Sequence, residues 1–212
     1  MSSDATPRTP DRRRLIIDAA RALFTQHSYE KVTTTEIARK AGVAYGLIAH
    51  HFGNKRGLYL AVMSDIKAEL AAEQDAPPGG TAPGELLRHA LARHVDYIDA
   101  HAAGFTALMR GGLGADPEMR SMLGELRAVG GTRVLRALGV TGPPPPALRS
   151  ALHAWVAYFD ELMLDRIQFG DIGKRAIVEL AAESLLSSVR TVISLDPGIE
   201  LLPEITDYLE LP

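Results

Sequence analysis

A segment near the N-terminus has the residue types and spacing of a motif that places one helix in a DNA groove. Thr33 and Glu36 are spaced as in a capping box, which predicts that a helix starts at Thr33. Gly42 then supplies the left-handed backbone conformation that a sharp turn requires. A second short helix is predicted from about Ala44 to His51. Two helices joined by a short turn containing glycine are typical of a helix-turn-helix, whose second helix enters the major groove.

The second helix of this segment has one packing face and one outward face. Ile48 and Phe52 are placed to pack backwards. The positions left facing outward are Tyr45, Leu47, Ala49 and His50. A further helix is predicted to start at Asn54-Lys55, at the expected distance from this motif. The combination of the capping box, the glycine turn, the two packing residues and the next helix start favours DNA binding.

Four phrases follow one another between Arg12 and Leu58: R-R-R-L-I-I-D-A-A-R-A-L-F, Y-E-K-V-T-T-T-E-I-A, A-G-V and H-H-F-G-N-K-R-G-L. Together they resemble the DNA-binding domain of TetR-like (tetracycline-repressor-type) transcriptional regulators. The resemblance implies an all-α homodimer. It places a three-helix helix-turn-helix DNA-binding domain in residues 1–55 and a larger helical effector-binding and dimerisation domain in residues 56–212. It implies no cofactor.

The family pattern, carried over position by position, implies two kinds of DNA contact. Phosphate contacts are expected from Thr33 or Thr34 and from Lys55, which stands in an opening helical turn where N–H groups and the dipole suit an anion. Arg12 and Arg13, followed by a third arginine, would reach flanking phosphate or the minor groove. Base edges would be read by Tyr45, Gly46, Leu47 and His50.

The second helix departs from the family pattern at three positions. Ala44 stands where a capping serine or threonine is usual, Leu47 replaces a threonine, and Ala49 replaces a tyrosine that reaches phosphate. Polar readers are therefore few. We expect Leu47 to contact a thymine methyl group and DNA shape to carry more of the specificity.

Charge is divided unevenly along the chain, although the net charge is only −3. Residues 1–58 contain ten Lys or Arg against five Asp or Glu, whereas residues 59–212 contain thirteen against twenty-one. A positive end suits phosphate, and an acidic remainder discourages indiscriminate nucleic-acid binding. The chain has no cysteine, which excludes disulfides and thiolate sites. We expect no signal peptide and no membrane span, and hence a cytoplasmic protein.

Apolar periodicity predicts helices throughout and no strand. The first helix is predicted to begin at Thr9-Pro10 and to end near His27. Runs of proline and glycine at residues 75–84 and 142–146 break the pattern. The later predicted helices are 54–73, 85–101, 104–113, 116–138, 147–169 and 172–195, with one further turn near 204–209.

The last two long helices, residues 147–195, are apolar on more than one stripe. A helix that is apolar around most of its circumference must be buried on two sides. We expect each subunit of a homodimer to contribute this pair to a four-helix bundle. The alternative is that the two helices fill the centre of their own domain.

The resemblance also implies a ligand pocket in the C-terminal domain. An aromatic and methionine-rich lining suits an apolar or amphipathic small molecule. Asp160 and His153 are the polar groups expected to orient it, and ordinary core packing is the alternative for each apolar position. The candidate lining residues are Tyr97, His101, Phe105, Met109, Trp155, Tyr158, Phe159 and Met163.

Histidines and catalytic motifs give little support to other functions. His50 and His51 are adjacent on a helix and point too far apart to share one ion, so no metal site is predicted. His94, Tyr97 and His101 are predicted to share one helical face. Three interpretations of this face stay open: a metal site, a ligand-polarising cluster or a solvated face. We find no Gly-rich phosphate loop, nucleophile elbow or zinc-protease motif, and therefore expect no enzyme.

The sequence hypothesis is a ligand-responsive transcriptional regulator, by family default a repressor. It would bind palindromic operator DNA as a dimer and be released by a small apolar or amphipathic effector. The helix predicted at 54–73 would transmit the signal, because its first turn touches DNA and its far end borders the pocket. The alternative is a DNA-binding regulator controlled by a protein partner or by no small molecule.

Overall fold

The computed structural model describes residues 11–72, 82–113 and 115–209, and over these residues it contains ten α-helices and no strand. The all-α class is therefore confirmed. The helices are α1 (Arg12–Phe24), α2 (Thr34–Ala41), α3 (Gly46–Phe52), α4 (Lys55–Ala72), α5 (Pro83–Ala100), α6 (Ala102–Arg110), α7 (Pro117–Leu138), α8 (Pro146–Phe169), α9 (Lys174–Leu195) and α10 (Pro203–Tyr208).

Local capping chemistry fixes the turn between α2 and α3. The predicted capping box is present, because Thr33 Oγ1 accepts from the N–H of Glu36 at 3.2 Å and the Glu36 carboxylate accepts from the N–H of Thr33 at 2.9 Å. Gly42 ends α2 with φ 65°. The helix α3 starts two residues later than the predicted Ala44, since no side chain caps it and Tyr45 occupies the N-cap position.

The predicted start of α1 was wrong. The helix begins at Arg12, and Asp11 is its N-cap, with Oδ1 accepting from the N–H of Arg13 at 3.0 Å. Thr9-Pro10, the predicted start, lies outside the described residues, as does most of the predicted connector at 75–84. The helix also ends earlier than predicted, at Phe24.

The helix α4 packs against both parts of the molecule. It contacts α1 and α3 on one side and α6 and α7 on the other. Its apolar face is buried against them, and every member is at most 3% exposed: Leu58, Tyr59, Val62, Met63, Ile66 and Leu70. The boundary at residue 55 stays a prediction, but α4 structurally belongs to both halves.

The C-terminal helices pack as layers around a central α8. This helix contacts α7, α9, α5 and α6. Trp155 anchors α8 to α9 by donating from Nε1 to the carbonyl oxygen of Ala181 at 2.8 Å. Gly170 ends α8 with φ 68°, and α9 begins at Lys174 rather than at the predicted Ile172. No helix in the described ranges has the length and apolarity needed to cross a membrane.

Candidate DNA-binding face and ligand cavity

The outward face of α3 carries most of the predicted base readers. Tyr45 is 60% exposed, and Gly46 and His50 are also exposed. Ile48 is buried and Phe52 half-buried, as their backward packing requires. The predicted outward placement of Leu47 was only partly right, because its side chain is half-buried against the core.

Thr33 and Thr34 differ in what their side chains are free to do. The Thr33 hydroxyl donates to Glu36 Oε2 at 2.8 Å and accepts within the capping box, so it is committed to the helix start. These hydrogen bonds also hold the pKa of Glu36 below its ordinary value, which keeps the carboxylate charged. The Thr34 hydroxyl lies 3.4 Å from the Tyr45 hydroxyl and so links α2 to the exposed face of α3. The two hydroxyl groups therefore have different partners, one within the start of α2 and one at the N-cap of α3.

Lys55 occupies the predicted position in the first turn of α4. Asn54 Oδ1 accepts from the N–H of Gly57 at 2.9 Å, which caps this helix start. Lys55 Nζ lies 4.2 Å from the centroid of the Tyr29 ring. This cation–π contact holds the ammonium group beside the helix N-terminus, where the partial positive charge also favours an anion.

The N-terminal arginines are not equivalent. Arg12 and Arg13 are exposed, and Arg13 Cζ lies 5.3 Å from the centroid of the Phe52 ring at the end of α3. Arg14, predicted to accompany them to DNA, instead pairs with Asp65 of α4 at 3.0 Å and with Asp18 at 2.8 Å. The structure therefore assigns Arg14 to the contact between α1 and α4.

A cavity of about 530 Å³ lies among α4 to α10. Its volume falls within the range of small-molecule sites. Four of the predicted lining residues border it: Phe105, Met109, Trp155 and Phe159. The short α10 covers one side, where Leu202 donates its N–H to the carbonyl oxygen of Leu138 at 3.0 Å.

The other four predicted lining residues lie elsewhere. Tyr97 and His101 stack on each other with ring centroids 4.2 Å apart. Tyr158 is 39% exposed on the outer side of α8, whereas Met163 is fully buried in helix packing. None of these four side chains borders the cavity described above, so their role as ligand contacts stays a prediction.

His94, which was grouped with Tyr97 and His101, borders the cavity instead. Its ring lies 5.4 Å from the ring of Phe159. Burial lowers the pKa of His94 to about 4, and the positive charge of Arg133 acts in the same direction, so the imidazole is neutral near pH 7. His101 Nδ1 contacts the Tyr97 carbonyl oxygen at 2.8 Å. Within the described residues, no cluster of three potential His, Asp or Glu metal ligands occurs.

The polar wall of the cavity comes mainly from α7. Asp160 of α8 is buried and accepts from Arg127 Nε at 2.8 Å. Burial raises the pKa of Asp160, and the hydrogen bond from Arg127 opposes that rise. Arg133 and Arg136 also border the cavity, although their spacing alone gave no indication of it. His153, the other predicted polar contact, is exposed and does not border it.

An ion pair connects the start of α7 to the start of α4. Arg56 donates from Nε and Nη2 to the two carboxylate oxygens of Asp116, at 2.7 and 2.9 Å. Asp116 is also the N-cap of α7 and accepts from the N–H of Glu118 at 2.9 Å. The helix that supplies the polar cavity wall is thus joined to the residue next to Lys55.

Comparison with known proteins adds a family match for both halves. Residues 16–62 match the model for bacterial regulatory proteins of the tetR family. Residues 83–191 match the model for the tetracyclin repressor-like C-terminal domain, which alone covers about half of the chain. Residues 63–82 lie between the two matched ranges.

Individual relatives agree with these matches. The HTH-type transcriptional regulator BetI of Cronobacter sakazakii is 29% identical over 161 residues, which are 73% of this chain and 79% of the relative. The HTH-type transcriptional repressor AcnR of Corynebacterium glutamicum is 35% identical over 71 residues, which are 34% and 38% of the two chains. A solved tetR-family regulator from Streptomyces coelicolor is 24% identical, with a TM-score of 0.78 over 95% of this chain and 89% of its own.

Proposed function

This chain belongs to the TetR family of bacterial regulatory proteins and is a transcriptional regulator, and from that premise we propose a repressor that an effector in the cavity releases from DNA. The DNA would be a palindromic operator bound by a dimer. The observation that carries the proposal is the connection between α7, which lines the cavity, and the first turn of α4. Asp116, the N-cap of α7, holds Arg56, which is next to Lys55. We assign no catalytic step to the cavity.

On DNA, α3 would enter the major groove with its exposed face toward the bases. Tyr45 and His50 are the polar side chains on that face. A Cβ atom placed on Gly46 would meet no atom within 4 Å, so the backbone there is open to close approach by a base edge or sugar. Thr34 and Lys55 would contact phosphates and thereby fix the orientation of α3.

The dimer would form through the outer faces of α8 and α9, within residues 147–195. Large apolar side chains remain exposed there in the single chain: Tyr158 at 39%, Leu180 at 44% and Phe169 at 61%. Large apolar groups left exposed on two adjacent helices are typical of a subunit interface. A twofold arrangement would cover both copies of this face at once.

Ligand binding would act on α4 through its contacts with α6 and α7. A ligand that favours one position of these helices would shift the population of α4 positions, and hence the separation of the two α3 helices in the dimer. Half-sites about one DNA turn apart tolerate little change in that separation. A coupling of about 1–3 kcal/mol would lower operator affinity roughly 5–150-fold.

A regulator controlled by a protein partner or by no small molecule is the alternative function. The formed cavity of about 530 Å³, with a largely apolar lining and a few charged groups, favours a small molecule. Selection of bound DNA from a random pool tests the proposal as a whole. A palindrome with two half-sites about one turn apart is the expected product, and enrichment of a single asymmetric half-site would contradict a dimeric repressor.

Replacing Lys55 by alanine is expected to weaken binding to all DNA sequences by a similar factor. The loss of one phosphate contact should also reduce the slope of log affinity against log salt concentration by about one. Lys67→Ala is the matched control, since Lys67 lies on the same helix but pairs with Glu125 at 2.6 Å. An unchanged salt slope in Lys55→Ala, measured by fluorescence anisotropy, would remove Lys55 from the DNA contact.

Replacing Asp116 by asparagine is expected to reduce the effect of the effector on DNA binding more than DNA binding itself. Asparagine still caps α7 but carries no charge to hold Arg56, whose hydrogen bond keeps the pKa of Asp116 below its ordinary value. The ratio of operator affinities without and with an active compound should fall roughly threefold or more. The same ratio in variant and parent would show that this ion pair does not transmit the signal.

A further inference from the structure

Tyr29 lies where the two halves of the molecule meet. It belongs to the turn between α1 and α2, and Lys55 Nζ lies 4.2 Å from the centroid of its ring. Gly112, in the turn between α6 and α7, approaches so closely that a Cβ atom on it would lie 2.6 Å from Tyr29 Cβ. We propose that Tyr29 positions Lys55 for phosphate, and that the turn between α6 and α7 determines this position through Tyr29. The inference rests on the proposed function, in which Lys55 contacts phosphate and the cavity beside α6 binds the effector.

Two further aromatic rings hold the ring of Tyr29 in place. The ring of Phe24 in α1 stacks on it with centroids 6.0 Å apart, and the ring of Tyr59 in α4 meets it edge-to-face at 5.0 Å. Phe24 and Tyr59 also meet each other edge-to-face at 4.9 Å, and both are at most 5% exposed. Side chains packed in this way stay in single rotamers. The ring face beside Lys55 therefore has a fixed place relative to α1 and α4.

An aromatic partner orients Lys55 without competing with phosphate. A carboxylate partner, such as the one that Lys67 has in Glu125 at 2.6 Å, would neutralise the ammonium group and accept from its N–H donors. The face of a ring attracts the positive charge but leaves it uncompensated. The flexible side chain of Lys55 also loses less conformational entropy on binding phosphate when the ring already holds it.

Two glycines allow the turn between α6 and α7 to lie directly on the aromatic cluster. A Cβ atom on Gly112 would overlap Tyr29 Cβ, and one on Gly111 would overlap the hydroxyl oxygen of Tyr59. The turn follows α6, which borders the cavity through Phe105. Because the glycines place no side chain between the turn and the rings, a shift of α6 would displace Tyr29 directly. A ligand would thereby change phosphate binding by Lys55 with little movement of α4.

A double-mutant cycle on operator DNA tests whether Tyr29 acts through Lys55. The proteins are the parent, Tyr29→Leu, Lys55→Ala and the double variant, and fluorescence anisotropy gives their operator affinities over a range of salt concentrations. Tyr29→Leu is expected to weaken binding about two- to fivefold and to reduce the salt slope in the same direction as Lys55→Ala. In the Lys55→Ala background it should have no further effect. Equal losses in both backgrounds would overturn the inference, since the role of Tyr29 would then be structural only.

Tyr29→Phe is the matched control, because it keeps the aromatic face and removes only the hydroxyl group. Its operator affinity and salt slope should equal those of the parent. A loss as large as that of Tyr29→Leu would show that the ring face is not what holds Lys55, and would overturn the inference. Urea denaturation of each variant confirms that the compared proteins are folded.

Gly112→Ala tests the turn, and it also keeps the cycle decisive if Tyr29→Leu does not fold. All three rings remain in this variant, while the added Cβ atom displaces Tyr29. Operator affinity is expected to fall about two- to fivefold in the parent background and to stay unchanged in the Lys55→Ala background. Gly131→Ala is the control, because a Cβ atom there in α7 would meet nothing within 4 Å. Parental affinity in Gly112→Ala, or a loss that persists without Lys55, would overturn the role of the turn.

Lys55→Ala by itself separates this inference from the function on which it rests. Unchanged operator affinity and salt slope in Lys55→Ala would remove the phosphate contact from the proposed function, and the inference would fall with it. Weaker binding by Lys55→Ala together with parental binding by Tyr29→Leu would leave the proposed function standing and overturn only the role of Tyr29.

Discussion

The substitution Leu180→Glu is expected to convert the dimer into monomers and to lower operator affinity by roughly a hundredfold or more. Leu180 is 44% exposed on α9, within the face proposed for dimerisation. In a twofold interface the substitution would place a carboxylate from each subunit in an environment of low dielectric constant, where neither has a partner. Each monomer would then hold only one half-site.

The control for this experiment is the same chemical change on another helix. Val129 of α7 is 37% exposed, so Val129→Glu adds one carboxylate at an exposed apolar position outside α8 and α9. Analytical ultracentrifugation should show a monomer for Leu180→Glu and a dimer for Val129→Glu. A dimeric Leu180→Glu protein with normal operator affinity would place the interface on another surface.

The helix-turn-helix could be predicted from the sequence because local interactions determine it. The capping box needs only Thr33 and Glu36, and the turn needs a residue that tolerates the positive φ of Gly42. The start of α1 shows the limit of such reasoning. Two capping residues stand close together there, and the structure uses Asp11 rather than the proline-adjacent Thr9 of the prediction.

The cavity could be predicted only in part because helical periodicity fails at helix ends. His94 and His101 share a face only if the helix continues through both of them. His101 follows the last residue of α5 and has φ −120° and ψ 25°, so its side chain leaves the helical register. His94, which lies inside α5, borders the cavity, whereas His101 stacks on Tyr97.

The α7 arginines were missed for a different reason. A charged residue on a helix is usually solvated, and nothing in its own sequence neighbourhood shows that the facing helices leave a cavity. Arg127 is recognisable only through its pairing with Asp160, which lies on α8. Contacts of this kind depend on helix packing, which the pattern of a single helix does not determine.

Ion pairs on both sides of α4 explain why it suits a switching role. On the α1 side, Arg21 Nη2 donates to Glu69 at 2.6 Å, and on the α7 side, Lys67 pairs with Glu125 at 2.6 Å. Surface pairs such as these contribute about 0–1 kcal/mol each. Because no single pair dominates, a ligand that shifts α7 by a small distance can exchange several weak contacts without disrupting the buried stripe of α4.

The substitution Gly57→Ala is expected to have the second large effect, through the contact between α3 and α4. A Cβ atom on Gly57 would lie 2.1 Å from the carbonyl oxygen of Phe52, the last residue of α3. The position of a Cβ atom is fixed by its own backbone, and the carbonyl oxygen is itself a backbone atom, so no side-chain rotation can relieve the overlap and one helix must move. We expect the free energy of unfolding to fall by about 3 kcal/mol and operator affinity to fall roughly tenfold, since α3 and Lys55 are displaced together.

Gly124→Ala is the matched control, because a Cβ atom at this position in the middle of α7 would meet nothing within 4 Å. Alanine there restricts the unfolded chain and favours the helix, so the free energy of unfolding should rise by about 0.5–1 kcal/mol. Urea denaturation of the two variants compares the same chemical change with and without a steric conflict. If both variants are equally stable, the close approach of Gly57 to Phe52 does not exist in the folded protein, and the positions proposed for α3 and Lys55 on DNA lose their support.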